Sequence, residues 1–114
     1  MESKRQNRIS KLLQKDLGEI LQYDSKALYA GAMITVTKVT VSPDLSFAKT
    51  FVSIFSPGAD NSEILEKIKE HKKETRHKLA GRIKNQLRVV PELQFHIDDS
   101  LDYIENIENL LKTP

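Results

Sequence analysis

Apolar residues repeat with two different periods along this chain, and the switching between them restricts its fold more than any other feature. Ile9, Leu12, Leu13, Leu17, Ile20 and Leu21 recur at steps of three and four, which marks one face of a helix. Between Met33 and Phe55 the period falls to two, as in strands whose side chains alternate between faces. The helical period returns after Asp60, and Leu93, Phe95 and Ile97 alternate once more. Such a sequence is expected to be α+β, and 114 residues accommodate one domain, 1–114.

Capping and turn residues set the expected boundaries. Ser3 is a candidate N-cap for a helix running to about Tyr23 or Asp24, with Lys4, Arg8, Lys11 and Lys15 opposite its apolar stripe. A short connection, Lys26 to Gly31, leads to a strand from Met33 to Val41 whose alternation changes phase near Lys38, as a bulge would make it do. Ser42-Pro43-Asp44 has turn chemistry, and the next strand, Phe47 to Phe55, is closed by Ser56-Pro57-Gly58. So short a turn implies an antiparallel hairpin. Phe47, Phe51 and Phe55 share one face of the second strand and read as core residues rather than an RNA-stacking platform.

Asp60, Asn61 or Ser62 can cap the next helix, whose stripe is Ile64, Leu65 and Ile68. The stripe resumes at Leu79, Ile83 and Leu87, with His71, Lys72 and Thr75 in the gap. Two helices meeting at a bend near residues 71 to 76 explain that gap, and one helix of about 25 residues also fits the period. Val89 and Val90 precede Pro91, which should end the helical region before a third strand carrying Leu93, Phe95 and Ile97. Asp98, Asp99 or Ser100 then caps a last short helix with Leu101, Ile104, Ile107 and Leu111 on its apolar side. The expected order is α-β-β-α-α-β-α.

Little in the sequence suggests catalysis. G-x-x-x-x-G-K-[ST], G-x-G-x-x-G and H-E-x-x-H are all lacking, and the four glycines are scattered. His71, His77 and His96 form no metal-ligand spacing, so no metal or other cofactor is expected. Asp98, Asp99 and Asp102 are read as helix-start carboxylates, which bond free N–H groups at the positive end of the dipole. No apolar run approaches the roughly 18 residues of a membrane span. The opening residues are polar and cysteine is lacking, so a cytoplasmic compartment is expected.

Charge is distributed unevenly. The net charge is only +2, yet residues 67–88 hold nine Lys or Arg against two Glu, a net of +7, and residues 1–15 carry +4. Residues 92–109 carry six acids and no Lys or Arg. Lys73, His77, Gly81, Lys84 and Arg88 follow one helical line, as a surface for a phosphate backbone would require, and Gly81 could let that backbone come close. Lys72, Arg76, Lys78 and Arg82 complete the candidate block, joined by Lys4, Arg5, Arg8, Lys11 and Lys15 from the first helix. A merely solvated helix face fits the same pattern. A protein-interaction module and, more remotely, a small nuclease built on Asp98 and Asp99 also remain open.

Three stretches carry a family resemblance: Lys4-Arg5-Gln6-Asn7-Arg8-Ile9, Val39-Thr40-Val41-Ser42-Pro43-Asp44-Leu45-Ser46-Phe47-Ala48-Lys49, and Leu87 to Asp102 with its Arg-x-x-Pro-Glu-Leu-x-Phe-x-x-Asp-x-Ser-Leu pattern. Together they resemble the ribosome-binding factor A family of bacterial small-subunit assembly factors. The order α-β-β-α-α-β resembles a type II KH fold, here without the Gly-x-x-Gly loop that clamps RNA in ordinary KH domains. Similar proteins bend between two helices at a small-residue-x-Gly; here Lys73-Glu74-Thr75 stands there and Ala80-Gly81 lies further along. The resemblance implies a non-enzymatic cytoplasmic protein, monomeric when free, that binds the immature 30S subunit through 16S rRNA rather than DNA or a membrane. It also implies a part in late maturation, in 5′-end processing of that rRNA and in growth in the cold. Lys73, Arg76, Lys84 and Arg88 are the expected phosphate contacts, chosen from charge placement.

Overall fold

The computed structural model describes residues 3–56, 58 and 60–98. Helix α1 spans Lys4–Leu28 and begins with a capping box: Gln6 N donates to Ser3 Oγ at 3.1 Å and Ser3 N donates to Gln6 Oε1 at 2.9 Å. Gln6 also donates from Nε2 to Val41 O at 3.0 Å, fixing the start of the helix to the end of the first strand. Ile9, Leu13, Leu17, Ile20 and Leu21 are buried as their spacing requires, and Leu12 is half-buried at the stripe's edge.

The helix continues four residues beyond Asp24, through the stretch expected to be a connection. The polar pair Asp24 and Ser25 faces inward and is satisfied there, Asp24 by Lys78 and Ser25 Oγ by donation to Ala32 O. Ala30 and Gly31 then turn the chain at φ 56° and 73°, where glycine costs nothing and alanine is strained. Gly31 N donates to Ser25 O at 3.0 Å and closes the turn.

Strands β1 (Met33–Val41) and β2 (Phe47–Phe55) form the antiparallel hairpin, and β3 (Glu92–Ile97) lies parallel to β2, giving the order β1-β2-β3. The register passes from Val36–Val52 to Lys38–Phe51, leaving Thr37 as the extra residue of a bulge. Without it Val39 and Val41 would face away from the helices, because a one-residue shift exchanges the faces of a strand. Helix α2 (Asn61–Glu70) is capped by Asp60, and α3 is Lys72–Ile83. Ile64, Ile68, Thr75, Leu79 and Ile83 turn inward from these two helices, and α1, α2 and α3 all cover one face of the sheet.

That face is made by Ile34, Val36, Val39 and Val41, by Ala48, Thr50, Val52 and Ile54, and by Leu93 and Phe95. Phe47, Phe51 and Phe55, expected in the core, lie on the other side: Phe47 is 49% exposed, Phe55 66%, and Phe51 is half-buried. Both faces of β2 are apolar enough to be buried, and the helices settle on the smaller side chains. There the backbones come near, and a Cβ at Gly18 of α1 would lie 3.9 Å from that of Val36.

The bend between α2 and α3 is real and falls on His71, ahead of both Lys73-Glu74-Thr75 and Ala80-Gly81. His71 Nδ1 lies 2.8 Å from Lys67 O, and the ring meets buried Tyr29 edge-on at 5.9 Å. Helix α3 stops at Ile83, short of the expected end near Val90. Gln86 N and Leu87 N both donate to Ile83 O, and Leu87 enters the core from this tight turn. The acidic last helix and the cluster at Asp99 and Asp102 lie outside the described residues.

Candidate nucleic-acid interface

Helix α3 runs antiparallel to α1, so its cations divide into two sets. Lys78 faces α1 and donates to both oxygens of Asp24 at 2.8 and 2.7 Å. Arg82 reaches Glu19 at 2.5 Å and Asp16 at 3.5 Å, and its hydrogen bond holds the Glu19 carboxyl below the usual carboxylate range. These two members of the basic block therefore join helices, and their charges are matched within the chain.

The outward set borders a groove of about 670 Å³ lined by Lys72, Lys73, Arg76, His77, Ala80, Arg88, Val89, Val90 and Glu92. One wall is α3; the other is the extended segment leading into β3. Arg76 joins them: its Nε donates to Pro91 O at 3.1 Å and its Nη2 to Val90 O at 2.7 Å. Its planar fork thus sets the width of the groove. Lys72 lies 3.7 Å from Glu92 at one end. Lys73 and Arg88 have no ion-pair partner among the described residues and face solvent. The early end of α3 changes how Arg88 arrives: it sits beyond the helix, and the turn at 84–87 returns it to the groove that Lys73 borders.

Two further grooves continue from the first. One, of about 460 Å³, lies between Arg5, the hairpin turn Asp44–Ser46 and residues 86–89; the other, of about 360 Å³, between Arg5, Arg8, Ile9, Leu12, Gln86 and Leu87. Arg88 borders the first and second, and Arg5 borders the second and third. Cations from opposite ends of the sequence thus form one band across the molecule. Two acids lie within it, Glu92 beside Lys72 and Asp44 in the hairpin turn. Hydrogen bonds from the Ser42 and Ser46 hydroxyls, and from Ser46 N–H, lower the Asp44 pKa to about 2 and bind its carboxylate into the turn.

Lys4, Lys11 and Lys15 are exposed along α1 and Lys84 just beyond α3, outside these three grooves. Gly81 is exposed, and a Cβ there would meet nothing within 4 Å, so its side of α3 is open to a close approach. Sequence reasoning missed the apolar floor of Ala80, Val89 and Val90, and the hairpin turn as a wall; 69% exposure of Val89 is not visible in its pattern. Among the described residues no three His, Cys, Asp or Glu side chains gather as a metal site, and no helix is long and apolar enough to cross a membrane.

The architecture is that of a small α+β protein with three helices on one face of a mixed three-stranded sheet, in the α-β-β-α-α-β order of a type II KH fold. The junction between its second and third helices carries His71 and no Gly-x-x-Gly loop. A sequence profile of ribosome-binding factor A matches residues 5–111. The ribosome-binding factor A of Flavobacterium johnsoniae is 47% identical over 112 residues, covering 97% of this chain and 85% of that protein, and the Christiangramia forsetii one is 46% identical with the same coverage. The chain belongs to the ribosome-binding factor A family. The crystal structure of ribosome-binding factor A from Thermus thermophilus superposes with a TM-score of 0.67 at 22% identity, covering 81% of this chain and 94% of that one. The same fold, at a TM-score of 0.63, 23% identity and 79% and 91% coverage, is that of Thermus thermophilus ribosome-binding factor A fitted into a cryo-EM map of its complex with 30S.

Proposed function

We infer that this chain binds the 30S ribosomal subunit by laying its band of cations on the phosphates of 16S rRNA. The observation that carries this reading is the meeting of Arg5, from the first turn of α1, with Arg88, from beyond α3, in one groove that continues to Lys73. Phosphate binding needs several cations on one rigid surface, since each neutralised phosphate releases counterions and adds to affinity. Membership of the family and the fold shared with a protein placed on 30S give the reading its biological setting. The protein acts without catalysis, in the cytoplasm and as a monomer when free. It binds the immature particle and assists late maturation and 5′-end processing of 16S rRNA, which supports growth in the cold.

Replacing Arg5, Lys73 and Arg88 together by Glu tests this reading. The three are exposed and unpaired among the described residues, so the variant is expected to fold. Co-sedimentation with 30S subunits is expected to fall by at least tenfold, a loss of about 1.4 kcal/mol. Undiminished co-sedimentation of the folded variant would overturn the assignment.

A further inference from the structure

The face of the sheet turned away from the helices carries aromatic rings and cations that the groove reading does not use. Met33 and Phe55, 62% and 66% exposed, are paired across β1 and β2 at one end, and Phe47 is 49% exposed at the other. Phe51 lies between them and meets His96 of β3 at 5.6 Å between ring centroids, tilted by 33°. Lys38 stands opposite Phe51 on β1, so their side chains share a face, and Lys49 follows two positions before Phe51 on β2. Neither lysine has an ion-pair partner among the described residues, and Glu92, beside Phe47, lies 3.7 Å from Lys72.

We propose that this open sheet face is a second RNA-contacting surface, which takes unpaired bases: one base stacks on Phe51 beside His96, and Lys38 and Lys49 hold the phosphates on either side. It rests on the reading that the protein engages RNA and adds the class of RNA, single-stranded rather than duplex. Chemistry favours this occupant. The centre of a protein–protein interface is depleted of charge, whereas here two lysines border the central ring, Lys38 across on β1 and Lys49 along β2. Surfaces for single strands combine cations with aromatic faces, and every base has a π-face to offer. Alternate strand positions are about 6.6 Å apart, near twice the 3.4 Å base stack, so bases spread along β2 would be separated and available to rings. Among the described residues no Phe or Tyr lines the grooves of the cationic band, so the two surfaces divide the work.

The test compares the full chain with Phe51→Leu, which keeps an apolar side chain on the strand and removes the π-face. Binding is measured to a fluorescein-labelled oligouridine of about eight nucleotides and to an RNA duplex with the same number of phosphates. Phe51→Leu is expected to weaken oligouridine binding by about fivefold or more while duplex binding stays within about twofold, and Phe51→Tyr is expected to bind both as the parent does. Oligouridine binding unchanged in Phe51→Leu overturns the proposal, as does an equal loss for both RNAs. Weaker 30S binding with oligouridine binding intact overturns it in favour of a protein contact. If Phe51→Leu fails to fold, Lys38→Ala with Lys49→Ala, at exposed positions, serves with the same expected split. Replacing Arg5, Lys73 and Arg88 by Glu reports separately on the band: unchanged duplex binding there removes that reading and leaves the Phe51 result to be judged alone.

Discussion

Single residues decide which of the basic groups are available to a ligand. Lys78 and Arg82 belong to the most basic stretch of the chain, yet both point at carboxylates of α1, whereas Lys73 points outward from the same helix. Asp24 is the most consequential of those acids, because its side chain is only 8% exposed and both its oxygens lie within 2.8 Å of Lys78 Nζ. Replacing Lys78 by Met leaves a nearly buried carboxylate without its cation. Since Lys78 itself is about half exposed, water recovers part of the loss, and the expected destabilisation is about 1 to 2 kcal/mol. Urea unfolding checks this, and Asp24→Asn combined with Lys78→Met is expected to recover part of that loss. Affinity for 30S per folded molecule is expected to stay unchanged in Lys78→Met, in contrast with the variant that replaces Arg5, Lys73 and Arg88. This division between inward and outward cations was not legible in the sequence, because the partners lie 54 and 63 residues away. The alternation of apolar positions says which side of α3 is buried, and it says nothing about which neighbouring lysine reaches an acid on another helix.

Among the elements, the β hairpin was the most legible and also the most deceptive. Turn residues at both ends bounded β2 at Phe47 and Phe55, and the phase change near Lys38 located the bulge that the register places at Thr37. Which face of β2 is buried could not be read, because Phe47, Phe51 and Phe55 are as apolar as Ala48, Val52 and Ile54. The choice follows from helix packing, a long-range effect. The same limit applies to α1, whose last turn carries inward polar residues, and to α3, whose end at Ile83 has no Pro or Gly to announce it. The hairpin's own turn, by contrast, is built from local chemistry. Leu45 takes a left-handed φ of 62°, which its side chain disfavours, and the hydrogen bonds of Asp44 to Ser42 and Ser46 hold the turn in place. Those bonds depress the Asp44 pKa from 3.8 to about 2, so they support the folded state above pH 3.8 and are lost as pH falls toward 2. Asp44→Ala is expected to lower the melting temperature at neutral pH and to shrink the loss of stability between pH 4 and 2. Melting curves across that interval check it, and an unaltered acid dependence would contradict the role given to the turn.

Across the whole molecule, a net charge of +2 conceals a separation by surface rather than by sequence alone. Cations of α1 and of the segment after α3 gather along connected grooves, the acids of α1 are matched by the inner row of α3, and aromatic rings occupy the uncovered sheet face. A surface so divided can orient a protein as it approaches a phosphate-rich particle, because the matched regions attract little and the band attracts strongly. The candidate face was only partly legible. The basic blocks were evident at residues 1–15 and 67–88, but their meeting at Arg5 and Arg88 depends on α3 running antiparallel to α1 and ending at Ile83. The most direct measurement is the affinity of the protein for purified 30S subunits across a range of KCl concentrations, made in parallel for the variant with Glu at positions 5, 73 and 88. The parent's logarithmic affinity is expected to fall linearly with the logarithm of salt, with a slope of at least about two to three, and the variant's slope to be smaller by about that amount. A parent affinity indifferent to salt, or a variant with the parent's slope, would contradict binding through this band.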